Sequence, residues 1–241
     1  MFNNRLTLPA LAVLSALVLA ACGGGGGDSQ PSVSSTPTPG ASNSNTSSSS
    51  SSLAGNQPVV NGVRYISGVE TGELSKLVVN GQTIDLSYGM NVSIGPAGVF
   101  NFNGEITGGS ALTRFGNRTV NGENVVFAQG TQLTADMPAA GNATYIGKAV
   151  YGLNGKYAAG NSRASVDFAA KKIDVTITRA DDASVPESLK FGGSITGNTF
   201  SGTQNGVETK GAFYGSQAAY MAGTFRNTAN NANGAFGGAR Q

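Results

Sequence analysis

From Ala164 to Thr178 the chain alternates with a period of two, and this limits its possible folds more than any other feature. Ala164, Val166 and Phe168 fall on one face of a run. Ile173, Val175 and Ile177 fall on one face of the next, with Asp174, Thr176 and Thr178 opposite. Residues two apart share a face only in an extended chain, so the pattern predicts half-buried strands. Lys171-Lys172 lies close to the turn between these two. Further apolar runs at 143–151, 189–195, 199–203, 207–213, 218–225 and 234–239 bring the expected strands to eight within about 100 residues, with no helical stretch between them. Eight short antiparallel strands at this spacing predict an up-and-down barrel, which removes exposed edges. A barrel of that size is just wide enough to be filled by its own side chains. The expected filling is Val166, Phe168, Ile173, Val175, Ile177, Phe200, Phe213, Met221 and Phe225. Glycines at 147, 193, 202, 211, 215 and 223 permit the close approaches that closure needs.

Upstream, residues 58–136 predict a smaller β region of five or six strands. Leu77-Val78-Val79, Asn80-Gly81 and Thr83-Ile84-Asp85-Leu86 form a strand, a two-residue turn and a second strand, the strongest short-range hairpin signal. Apolar runs at 99–102 and 125–127 follow, the second just after Asn121-Gly122. This region is net −2, and residues 137–241 are net +4. Only 12% of the 241 residues are charged and 36 are Gly, which suits short strands and many turns rather than a helical enzyme. The overall +2 offers no general attraction to nucleic acid. The chain has no His, which removes His-dependent hydrolysis, His-ligated zinc and His-ligated haem. Its single Cys excludes an internal disulfide or a multi-Cys metal site.

That Cys stands where an export signal would end. Arg5 supplies a cationic start, Leu11 to Val18 an apolar run too short to span a bilayer, and Leu19-Ala20-Ala21-Cys22 a small-residue close. The tetrapeptide resembles the bacterial lipobox, so residues 1–21 are expected to be a lipoprotein signal peptide. Cys22 is then the lipidation site, its acyl chains (palmitate among them) holding the protein on a membrane without spanning it. Residues 22–57 run from a Gly stretch into Ser, Thr, Asn and Pro. Such a segment cannot bury enough apolar surface to fold, and it reads as a flexible tether. Gly23 rather than Asp follows the Cys, which fits an outer-membrane destination.

The tail from Lys210 to Arg240 carries a further likeness. Gly211, Phe213, Tyr214 and Gly215, then Ala222-Gly223-Thr224-Phe225, then Gly234, Phe236, Gly237, Gly238 and Arg240 resemble the closing strands of the transferrin-binding protein B-like barrel. Gly141 to Gly147 is similar to that family's first barrel strand, while Ala219-Tyr220-Met221 departs from the family where relatives often carry Glu. The resemblance implies an all-β fold with a β handle domain at 58–136 and an eight-stranded antiparallel barrel at 137–241. It also implies a non-enzymatic, outer-membrane lipoprotein, displayed on the cell surface by a surface lipoprotein assembly modulator. Its partner would be a host macromolecule such as haemoglobin, transferrin or a complement regulator, serving iron acquisition or complement evasion. The different reading that the residues also allow is a structural or periplasm-facing envelope lipoprotein with no host ligand.

Candidate partner-binding residues come from two stretches. Asp181, Asp182 and Glu187 belong to the longest polar loop of the barrel region, where binding residues on a rigid scaffold tend to sit. Arg114, Phe115 and Arg118 combine two cations with an aromatic, a pairing found at interface hot spots and equally at a turn with a packing Phe. There is no acidic calcium loop, no phosphate loop and no catalytic set. For haem, Cys22 is committed to lipid, which leaves Tyr or Met as axial ligand. Tyr88-Gly89-Met90 offers both but reads more readily as a packed strand end. The expectation is no cofactor, with weak or no direct haem binding.

Overall fold

The computed structural model describes residues 58–87, 98–102, 104–179 and 187–241. Sixteen strands are found among them. The architecture is all-β, with an eight-stranded closed barrel preceded by an N-terminal sheet. The barrel strands are β9 (Asn142–Leu153), β10 (Lys156–Asp167), β11 (Lys172–Arg179), β12 (Ser188–Thr196), β13 (Thr199–Gln204), β14 (Val207–Tyr214), β15 (Tyr220–Asn227) and β16 (Asn233–Arg240). Each pairs antiparallel with the next, and β16 closes on β9 with Phe236 opposite Ala149. β9 and β10 are longer than the alternation alone predicts. Asn154-Gly155 turns them into one hairpin, and both residues adopt positive φ (51° and 77°), as a two-residue turn between right-twisted strands requires.

Every residue expected inside the barrel is buried there, joined by Tyr145, Tyr151, Phe191 and Phe236. Six phenylalanine rings form a chain of contacts, with Phe191 at 5.2 Å from Phe225 and 5.5 Å from Phe236, Phe200 at 6.1 Å from Phe236 and 5.5 Å from Phe213, and Phe168 at 6.2 Å from Phe213. Burying each ring stabilises the barrel by about 1.5–3 kcal/mol. The rings fit because glycine stands beside them: a methyl on Gly211 would lie 2.2 Å from Cζ of Phe200. Ser162 is a buried polar residue of this interior, and its hydroxyl reaches past Gly147 to donate to the Gly237 carbonyl at 2.7 Å.

The N-terminal sheet has the order β1-β2-β8-β7-β6-β5, from β1 (Val59–Val60), β2 (Val63–Glu70), β8 (Glu123–Gly130), β7 (Thr113–Val120), β6 (Glu105–Gly109) and β5 (Gly98–Phe102). β2 lies parallel to β8, and the other neighbours are antiparallel. One face meets the outer wall of the barrel, where Val63, Ile106, Phe115, Val126 and Ala128 pack on Val150, Ala212, Ala222 and Ala235. Small residues on that wall let the two layers come together. The opposite face is covered by the hairpin of β3 (Lys76–Val79) and β4 (Gln82–Asp85), whose Leu77 and Val79 join Ile66, Val125 and Phe127 in a separate core. The seam is also pinned by polar contacts. Ser67 Oγ donates to the Lys210 carbonyl at 2.5 Å, and the buried Tyr214 hydroxyl donates to the Val69 carbonyl at 3.1 Å.

The segment from Arg114 to Arg118 is neither a turn nor an exposed patch but the middle of β7, an interior strand of the sheet. Its polarity hides the strand because its polar groups are spent internally. Asn117 Oδ1 accepts the Ile106 N–H at 2.9 Å, and its Nδ2 donates to the Gly104 carbonyl at 3.1 Å, completing the pairing with β6 through a side chain.

Candidate binding face

An up-and-down barrel sorts its connections onto two ends. The β9–β10, β11–β12, β13–β14 and β15–β16 connections leave from one end, and the other three from the opposite end. Turns of the N-terminal sheet join the first end. Asn61, in the β1–β2 turn, donates from Nδ2 to Oδ1 of Asn231 in the β15–β16 loop at 2.7 Å. Four of the connections gathered here or beside it are Asn-Gly turns, at 61–62, 121–122, 154–155 and 205–206, each with both residues at positive φ. Short turns of this kind are stiff, so this end presents polar amides on a nearly fixed frame.

Where the sheet meets this end of the barrel lies a cleft of about 200 Å³. Its aromatic wall is Tyr65 and Tyr157, and its rim carries Asn61, Asn124, Asn154 and Asn231. Tyr157 donates its hydroxyl to Asn233 Oδ1 at 3.1 Å, and Asn233 Nδ2 in turn donates to the Asn231 carbonyl at 3.1 Å. Burial pushes the Tyr157 phenol up to about 12. Burial first, then the neighbouring Tyr157, pushes Tyr65 further, against the opposing pull of Arg226. Both phenols are therefore neutral O–H groups at physiological pH. Arg226 lies over the Tyr65 ring, 5.8 Å from its centroid. Its Nε donates to Glu208 Oε2 at 2.9 Å, and Nη2 bonds the same oxygen. Among the described residues lining the cleft, the one cation is thus matched by a carboxylate. The arrangement offers hydrogen-bond donors, acceptors and ring faces without net charge.

The residues proposed from the sequence fall in different places. Glu187 is exposed at this end, immediately before β12. Asp181 and Asp182 lie outside the described residues, as do Cys22, Tyr88 and Met90. Phe115 is corrected from an interface aromatic to a packing one: it is 1% exposed and fills the seam against the barrel wall. Arg118 is likewise withdrawn from the surface at 7% exposure. It donates to the Asn117 carbonyl at 2.8 Å, lies 3.7 Å from Glu105 and covers the Phe127 ring at 5.9 Å. Burial lowers its pKa. Arg114 is half-buried and donates to the Ser110 and Thr113 carbonyls. Among the described residues no group of three or more carboxylate or Cys side chains is placed to hold a metal ion.

The cleft residues Tyr65, Tyr157 and Asn233 were not legible as a site. Each of the four Asn-Gly turns is a local signal, whereas Asn233-Gly234 is the same dipeptide inside β16, and only strand direction and the packing of sheet on barrel bring the turns to one end.

Comparison with known proteins follows the barrel. Residues 137–240 match the family of C-lobe and N-lobe beta barrels of Tf-binding protein B. No curated protein matches the chain. In three dimensions the chain is similar to a transferrin-binding protein B of Haemophilus parasuis, with 22% identity, 72% of this chain and 42% of that one covered, and a TM-score of 0.50. It is similar also to the isotype 1 transferrin-binding protein B of serogroup B Neisseria meningitidis, at 21% identity over 72% of this chain and 40% of that one, with a TM-score of 0.50. At such identities the likeness is one of fold. The chain spans about two fifths of the length of these relatives.

Proposed function

The barrel at residues 137–240 belongs to the family of transferrin-binding protein B beta barrels, and from that premise we propose that this protein is a surface-exposed, lipid-anchored outer-membrane lipoprotein that captures a host macromolecule without catalysis. The observation that carries the reading is the family membership of a barrel whose one end is ringed by polar connections and braced by a packed sheet. Two solved structures similar to this chain are of proteins named for binding transferrin. For this chain the ligand class is a host protein: transferrin, haemoglobin or a complement regulator. Capture works through loops on a rigid scaffold, which is how such folds separate binding from stability. Glu187 stands as a partner-facing residue of this end, and Asp181 and Asp182, outside the described residues, remain candidates from the sequence alone. Cys22 carries the lipid, the segment after it acts as tether, and a surface lipoprotein assembly modulator brings the protein outward. Any iron gain comes from capturing the whole carrier protein and not from ligating haem.

Protease shaving of intact cells tests the display. Loss of the protein from intact cells is expected; resistance in intact cells with loss after lysis refutes it. Retention of one host protein from serum or red-cell lysate, saturable and tolerant of salt, is expected of the chain from residue 55 onward. Clean failure across both favours an envelope lipoprotein with no host ligand. A haemin titration without a ligated Soret band is expected, and a stoichiometric one lost in Tyr88→Phe or Met90→Ala overturns the haem statement.

A further inference from the structure

We propose that the cleft between the N-terminal sheet and the barrel is a saccharide subsite, taking one neutral sugar residue of a glycan. The first reason is size. At about 200 Å³ the cleft is below the range of about 300–1,000 Å³ typical of sites that enclose a whole drug-sized ligand, so it suits a single unit of a larger one. The second is charge. Arg226 is held on Glu208 and both phenols are protonated, so no described residue lining the cleft carries an unmatched charge.

The third is the kind of polar group. An Asn amide offers two donors and an accepting oxygen on one plane, and vicinal sugar hydroxyls offer the matching set. Asn231 already spends Oδ1 on Asn61, while the side chains of Asn124 and Asn154 make no hydrogen bond among the described residues. The fourth is the aromatic wall. Tyr65, whose ring is covered on one side by Arg226, and Tyr157, whose ring lies against Gly152, line the cleft with the apolar surface that the C–H face of a pyranose needs, and Asn233 holds the Tyr157 hydroxyl in place. The frame is preorganised: the turns at 61–62 and 154–155 are two-residue hairpins, and Asn61 ties the sheet to the barrel loop across the cleft mouth. Less ordering is then left to offset on binding.

This inference does not rest on host-protein capture. Free glycosides report on the cleft alone, whereas retention of a host protein reports on the whole end. The test is saturation-transfer NMR on the full-length chain with the methyl glycosides of mannose, galactose, glucose and N-acetylglucosamine. At least one is expected to bind with Kd of about 1 mM, ordinary for a single small unit. Asn154→Asp with Asn231→Asp keeps side-chain size and tolerance of positive φ while replacing amide donors by charge. That pair is expected to weaken binding about tenfold, the equivalent of about 1.4 kcal/mol, with an unchanged amide spectrum. Asn124→Ala, in β8 and with no positive φ of its own, is expected to weaken it about threefold to tenfold, the loss of one hydrogen bond. No transfer from any of the four glycosides overturns the assignment, as does binding that ignores all three substitutions. Transfer to acetyl-Gly-Asn-Gly-amide in place of the glycosides also overturns it, and assigns the cleft to polypeptide.

Discussion

Replacing Gly237 by Ala probes the seam on which the binding face depends. Gly237 lies on the outer side of β16, under the N-terminal sheet. A methyl built there would stand 2.7 Å from both Cδ1 and Cε1 of Phe115, and 3.1 Å from the Met221 carbonyl oxygen. Carbon atoms in good contact are about 3.5–4.0 Å apart, so the ring would have to withdraw by about 1 Å. It has nowhere to go. Phe115 is 1% exposed and packed among Ile106, Val126 and Ala128. Overpacking of this kind costs about 1–3 kcal/mol. Phe115→Ala should cost about 3–5 kcal/mol through the cavity it leaves. The double variant is the sharper experiment, because with the ring gone the new methyl enters vacated space. The double loss should then fall short of the sum by about 1–3 kcal/mol, within the range seen for residues in contact. Urea denaturation followed by tyrosine fluorescence and circular dichroism measures all four corners of the cycle, provided the slopes agree. Strict additivity, to within about 0.5 kcal/mol, would mean that the two residues do not touch and that sheet and barrel are packed more loosely than described.

Further expectations concern the opposite end of the barrel and its interior. The Asp136 carboxylate accepts the Gln217 backbone N–H at 3.0 Å, the Gln217 side-chain amide at 3.0 Å and the Ser216 hydroxyl at 2.8 Å, which hold its pKa at about 2 against an ordinary 3.8. Its contribution is therefore present above pH 3.8 and lost as pH falls through 2. Carbon-detected NMR of the carboxyl group should show the low midpoint, and titration at the ordinary value refutes the clamp. Ser162→Ala should destabilise by about 1 kcal/mol, since it removes the buried hydrogen bond to Gly237 without opening a large cavity. An unchanged denaturation midpoint would show that this bond contributes nothing net.

How much was legible varied with the kind of residue. In the barrel, the strands and the filling followed from alternation, because a strand with one wet and one dry face writes its period into the sequence. In the N-terminal sheet that rule failed for β6 and β7. Both lie between other strands, and β7 is covered by the barrel on one face. Its Arg and Asn side chains bond carbonyls and N–H groups within the sheet, so buried polar residues imitate a loop. The same cause misplaced Phe115 and Arg118: an aromatic between cations looks like a hot spot until their burial is known.

The Asn-Gly turns show the division most plainly. Each announces its own hairpin, since Asn and Gly adopt positive φ at low cost and few other pairs do. Period, turn and glycine content are local properties, and they determined by themselves that the chain is all-β with an eight-stranded barrel. Which turns share an end, which side of the wall takes the sheet, and that Tyr65 from β2 and Tyr157 from β10 line one cleft are long-range matters. Those were decided only in the tertiary structure, because closure of β16 on β9 and the fit of Phe115 over Gly237 join residues more than eighty and more than a hundred positions apart.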